Sequence, residues 1–141
     1  MINPQIPITL SHMRDAFHDE LDAITQTLVD MAMLVKNATK DSTTALLTAD
    51  LALAEKVIAQ DDVIDSMQHE LDSRTMSLLA TQQPVASDLR TLVTSLRMSA
   101  DLERMGDMAH HISKLARMRH PATAVPPEAS LTIEEMGRVA G

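Results

Sequence analysis

LSHMRDAFHDELDAITQTLVDMAMLV, residues 10–35, is the stretch that decides the fold. Apolar residues fall along it at Leu10, Met13, Phe17, Leu21, Ile24, Leu28, Met31 and Val35. Each follows the last by three or four positions. That is the repeat of one helix face, and a strand would instead alternate every second residue. No proline or glycine interrupts the run. After Pro4 and Pro7 the next proline is Pro84, and the first glycine is Gly106. A breaker-free stretch of that length is too long for one helix of a globular domain.

The polar cluster Lys40-Asp41-Ser42-Thr43-Thr44 offers both a stop and an N-cap, so the division is expected there. A second helix then spans residues 44–80, with Leu46, Leu53, Val57, Ile64, Leu71 and Leu78 on its stripe. Thr81-Gln82-Gln83-Pro84 marks a turn, and Pro84 suits the first turn of a third helix. That helix carries Val85, Leu89, Leu92, Val93, Leu96 and Ala100 and stops at Arg119-His120-Pro121. Short connections make neighbouring helices antiparallel. The expected fold is all-α: an antiparallel, up-down-up three-helix bundle over residues 10–120, behind a lead at 1–9. Residues 121–130, with Pro121, Pro126 and Pro127, read as a linker. Leu131, Ile133, Met136 and Val139 then open a further helix, cut short at residue 141.

Composition agrees with helices. Apolar residues make up 45% of the 141, yet Phe17 is the sole aromatic, and 11 methionines are expected to share the interior with Leu, Ile, Val and Ala. That palette favours helices over sheets. Cysteine is absent, which excludes disulfides and thiolate chemistry. No apolar run reaches the length of a membrane span, and the N-terminus lacks the basic-then-apolar layout of a signal peptide, so a cytoplasmic location is expected. With 20 acidic against 12 basic residues the net charge is −8. That balance disfavours direct contact with nucleic acid and favours cations or basic protein surfaces.

Certain acids fall on the wrong face. On the third helix Leu92, Leu96, Ala100, Glu103 and Asp107 are spaced four, four, three and four. At about 100° per residue, Glu103 and Asp107 share the direction of Leu96. On the second helix Val57, Asp61 and Ile64 are spaced four and three, with Asp65 at the shoulder. Each helix thus carries an acid, three residues, then Asp. This i, i+4 spacing puts both carboxylates on one side. A buried carboxylate is neutralised, paired or bound to metal. Four of them at a helix–helix seam offer oxygen ligands to hard ions such as Mg, Ca or Mn, and to iron. Solvated i, i+4 acids are also common on helix surfaces, and the spacing is compatible with that reading too.

Other features bear on the same region. Gly106 costs about 1 kcal/mol against alanine inside a helix, and a close helix approach or a nearby ligand would account for it. His110 and His111 follow Asp107 by three and four residues; Asp-x-x-His can bind metal, and a surface or supporting place is the alternative. Arg90, Arg97 and Arg104 recur every seven residues as a ridge, suited to phosphate, to a partner's acids, or to local pairing with Asp101. Met98, Met105 and Met108 read as adaptable filler. Neither a nucleophile–base constellation nor a glycine-rich phosphate loop is present.

The chain resembles the PhoU family of phosphate-signalling proteins. The similarity runs through Met13-Arg14-Asp15-Ala16-Phe17-His18-Asp19-Glu20-Leu21 and through residues 54–65, AEKVIAQDDVID. It is strongest in residues 79–90, LATQQPVASDLR, and in Asp101-Leu102-Glu103-Arg104-Met105-Gly106-Asp107. The resemblance implies a PhoU-like bundle, spectrin-repeat-like in its up-down-up path, of which the family has two in tandem. It also implies metal ligation by Asp61, Asp65, Glu103 and Asp107, with Fe, Zn, Mg or Mn as divalent or trivalent candidates. The implied role is a non-enzymatic adaptor that restrains phosphate-starvation signalling and modulates phosphate uptake. Its implied partners are the ATPase subunit of a phosphate ABC transporter and a sensor histidine kinase. Wide apolar faces, with only the first turns of a second repeat present, predict a homo-oligomer, most simply a dimer. Two other readings stand beside this one. The first is a small bundle enzyme with a carboxylate-bridged metal centre in which His110 assists Asp107; it lacks a second acid-x-x-His motif. The second is a metal-free interaction module.

Overall fold

The computed structural model describes residues 10–141; the lead expected at 1–9 lies outside them. Three long helices, α1 (Leu10–Thr48), α2 (Leu51–Thr81) and α3 (Ala86–Arg119), are followed by a single 3-10 turn (Pro127–Ala129) and a short helix, α4 (Ser130–Ala140). The first three form the antiparallel bundle. Polar contacts along its length fix their register: Arg74 to Glu20 at 3.0 Å, Lys56 to Asp41 at 2.9 Å, and the Ser99 hydroxyl donating to Asp72 at 3.1 Å. The two exposed ion pairs contribute little stability, and burial supplies most of it. None of the described helices is long and apolar enough to cross a membrane.

The α1 stripe holds from Phe17 to Val35, where Phe17, Leu21, Ile24, Leu28, Met31 and Val35 are all buried; Leu10 and Met13, in the first turn of α1, are exposed. Fully burying side chains of this size is worth roughly 1.5–3 kcal/mol each. The division expected at residues 40–44 does not occur there. The hydroxyls of Ser42, Thr43 and Thr44 turn back onto carbonyls of their own helix, donating to Thr39, Thr39 and Lys40 at 3.0, 2.8 and 3.1 Å. Side chains suited to capping a new helix are thereby used inside the existing one. The buried face meanwhile continues through Ala38, Ser42 and Ala45, and Leu46 belongs to α1. The break comes at Ala49, whose φ of 54° is left-handed, and at Asp50, whose carboxylate accepts from the Leu53 N–H at 3.0 Å.

The third helix also departs from expectation. Val85 is its N-cap, so Pro84 lies just before the helix and not in its first turn. Val85, Leu89 and Val93 are exposed. The buried face runs instead through Leu92, Ser95, Ser99, Gly106, Ala109, Ser113 and Ala116. The core is consequently graded. Toward the α2–α3 turn it is built from Phe17, Leu21, Ile24, Leu28, Leu71, Leu78 and Leu92. Toward the α1–α2 turn it narrows to Ala38, Ala45, Ala54, Ala109 and Ala116 with Val57 and Leu46.

The expected linker is partly structured. Ala124, Val125 and Ile133 pack against the narrow end of the core. The His120 ring Nδ1–H donates to the Ala49 carbonyl at 3.1 Å, tying the end of α3 to the α1–α2 turn. α4 runs antiparallel to α1, with Gly137 against Thr43 and Gly141 near the Lys36 carbonyl.

Candidate metal centre

The site begins with a glycine. A Cβ built on Gly106 would lie 3.0 Å from Ile64 Cδ1, 3.5 Å from Ile64 Cγ2 and 3.8 Å from Val35 Cγ2. Gly106 therefore lets α3 settle against α2 and α1 at the level of Ile64. Asp61 and Asp65 flank Ile64 on α2, and Glu103 and Asp107 flank Gly106 on α3. Close approach of the two helices brings Asp61 and Asp107 to within ligand distance of one another, while Asp65 and Glu103, outside that group, interact beside them.

Their environments differ. Asp61 is 8% exposed. Its Oδ2 accepts a hydrogen bond from His110 Nδ1, while its Oδ1 is buried without a hydrogen-bond partner. Asp65, Glu103 and Asp107 are half-buried. Partial burial raises the Glu103 pKa above the ordinary carboxylate range; the negative charges of Asp65 and Asp107, a hydrogen bond given to Asp65 and the charge of Asp61 push it the same way. Among the described residues, none of the four forms an ion pair with lysine or arginine. Asp61, Asp107 and His110 each offer a ligand atom, all within 4.8 Å of one another. A buried, unpartnered carboxylate oxygen beside three further acids is the setting that a bound cation neutralises. The donor set fits a metal ion.

Glu103 and Asp107 stand at the α2-facing edge of α3 and not in the middle of its buried face, whose centre is held by Ser99, Gly106 and Ala109. His110 is the site residue whose weight the sequence understates. It shares a side of α3 with Asp107 by its i+3 spacing, and that spacing is the signal that finds it. His111 is exposed, its ring stacked on that of His110 at 6.0 Å. Arg90, Arg97 and Arg104 are exposed. Among the described residues they make no ion pair, so the local pairing expected for them is not formed.

Comparison with known proteins gives a consistent result. The PhoU domain matches residues 28–116. The phosphate-specific transport system accessory protein PhoU homolog 2 of Mycobacterium tuberculosis is 44% identical over 128 residues, covering 91% of this chain and 60% of its own length. PhoU homolog 1 of Mycobacterium leprae is 41% identical, with 91% and 58% covered. The crystal structure of PhoU from Pseudomonas aeruginosa superposes with a TM-score of 0.82 at 32% identity, over 86% of this chain and 58% of that one. The chain thus spans about 60% of the length of these relatives. With the domain matched across all three long helices and the bundle shared with a solved structure, this chain belongs to the PhoU family.

Proposed function

We propose that the chain is a metal-binding regulatory module of the phosphate uptake system. Its relatives carry the name of phosphate-specific transport accessory proteins, and the same role is assigned here. In this reading Asp61, Asp65, Glu103 and Asp107 hold one or more divalent or trivalent cations at the α2–α3 seam. The protein is a cytoplasmic adaptor and not an enzyme. It links the ATPase subunit of a phosphate ABC transporter to a sensor histidine kinase and restrains starvation signalling when phosphate is plentiful. The large apolar side chains exposed on α1 and α3, Val29, Met33, Met98 and Met105 among them, support self-association.

The observation that carries the metal reading is the Asp61 carboxylate, buried with one oxygen unpartnered among three further acids. A bound cation supplies positive charge there. The chain's own contribution is to hold four carboxylates on two helices that Gly106 lets approach.

The test is thermal unfolding of chelator-treated protein with Mg, Mn, Zn or iron added. A ligand at a hundred times its dissociation constant stabilises by about 2.7 kcal/mol. The paired substitutions Glu103→Gln and Asp107→Asn should remove that stabilisation. Melts unchanged by every ion overturn the metal reading. Co-purification with the transporter ATPase subunit and with the kinase, each tested separately, checks the adaptor role.

A further inference from the structure

We infer that His110 is a nitrogen ligand of the α2–α3 metal centre and turns an all-carboxylate site into one selective for borderline transition ions over magnesium. The inference rests on the metal reading above and names the class of ion that the site takes.

Four observations carry it. His110 is one of three residues whose ligand atoms lie within 4.8 Å of one another, with Asp61 and Asp107. Its side chain is only 17% exposed, so the ring is held in place and does not sweep through solvent. Its Nδ1 meets Asp61 Oδ2. Its Nε2 is buried with no hydrogen-bond partner, as is Asp61 Oδ1.

The tautomer follows from the chemistry. An ionised carboxylate only accepts, so the nitrogen facing Asp61 carries the proton in the metal-free protein. In the neutral ring the other nitrogen then has a bare lone pair, buried and unsatisfied. A buried polar atom without a partner is costly. A cation seated at Nε2 supplies the missing partner of this ring. A histidine held through one nitrogen by a carboxylate is also the usual arrangement around metal-bound imidazole, where the hydrogen bond orients the ring.

Ligand type then sets the ion. Carboxylate oxygens alone suit magnesium, calcium and manganese, whereas an imidazole favours zinc, iron, cobalt and nickel. Carboxylate sites also rank transition ions above magnesium to some degree, so preference in the wild-type protein is no test by itself. The change in preference when the nitrogen is removed is the diagnostic quantity.

The experiment uses the full chain, with Co(II) and Mg(II) as probes. Affinities for both are measured by calorimetry on wild type and on His110→Gln, which keeps a hydrogen-bond donor for Asp61. The variant should lose about tenfold or more in Co(II) affinity while its Mg(II) affinity stays within about twofold. Independently, electron spin-echo modulation of wild-type protein loaded with Mn(II) should show coupling to a directly bound nitrogen, a readout that requires no variant to fold. Equal losses for both ions in His110→Gln, or no nitrogen coupling in the wild type, overturn the assignment and leave the carboxylate site standing. If wild type binds neither ion, the metal reading itself fails, and the assignment of His110 falls with it.

Discussion

Replacing Gly106 with alanine puts one methyl group into the contact between α3 and Ile64. The added carbon lies 3.0 Å from Ile64 Cδ1, where an ordinary carbon–carbon contact is about 3.5–4.0 Å. Ile64 is 2% exposed and must yield by about half an ångström inside a packed core. Overpacking of this kind costs about 1–3 kcal/mol. Against it stands the helix-propensity gain of alanine over glycine, about 1 kcal/mol. The atom that must move is the free end of its side chain, so the cost falls in the middle of its range, and Gly106→Ala should destabilise by about 1 kcal/mol. Ile64→Val removes Cδ1 and leaves Cγ2 at 3.5 Å as the nearest contact. In that background the clash is gone, and the same alanine should stabilise by about 1 kcal/mol. The double-mutant cycle therefore predicts a coupling of about 2 kcal/mol between two positions that touch. Urea unfolding of chelator-treated protein measures it, provided the slope with denaturant is unchanged across the four proteins. If Gly106→Ala stabilises the wild type and the cycle is additive within about 0.5 kcal/mol, the glycine is not there for close approach.

Two further outcomes follow from the same geometry. Because the folded protein holds the Glu103 pKa above its unfolded value, Glu103 favours folding only while protonated, and that contribution is lost as pH rises from about 4.5 through the raised pKa. Glu103→Gln should therefore melt higher than wild type at neutral pH in chelator, with the advantage vanishing below about pH 4; equal melting temperatures at neutral pH contradict the crowding of charge described for the seam. A Cβ at residue 137 would lie 2.4, 2.5 and 2.8 Å from Thr43 Cγ2, Oγ1 and Cβ. Gly137→Ala should lift α4 from α1, erasing hydrogen-exchange protection at residues 134–140 while bundle stability changes by about 0.5 kcal/mol or less, since no α4 residue is buried. Retained protection would place the seat of α4 elsewhere.

The bundle was legible wherever the interior is made of large side chains. From Phe17 to Val35, hydrophobic spacing and burial coincide, and the same holds for Val57, Ile64, Leu71 and Leu78. It was not legible where the interior is small or hydroxylated. Ser42 is fully buried, yet it sits in a cluster whose composition reads as a loop. Ser95, Ser99 and Ser113 hold much of the α3 face without registering as apolar, and Ala109 and Ala116 are small, so Val85, Leu89 and Val93 took their place in the pattern. The helix break carries neither glycine nor proline; it rests on Ala49 in a left-handed conformation and on the Asp50 cap. At the candidate site the four acids were visible because carboxylates interrupt or border an apolar stripe. The contact of His110 with Asp61 spans 49 positions and joins two helices, and no local pattern encodes it.

The narrowing of the core gives the two ends of the bundle opposite exposure to genetic drift. At the wide end a chance substitution of Leu28, Leu71 or Leu92 removes volume, and neighbouring side chains can partly relax into the space. At the narrow end almost every alternative to Ala38, Ala45, Ala54, Ala109 or Ala116 adds volume, because glycine alone is smaller. Added atoms there meet backbone as well as side chains, and the helices must part to admit them. Parting is felt first by whatever depends on helix separation, and Ala109 stands two residues beyond Asp107 and one before His110. Ala109 thus bears on how closely α3 carries Asp107 and His110 to Asp61 without touching Asp61 itself. A lineage would be expected to lose the approach of the two helices through such alanines while every acidic residue is still in place.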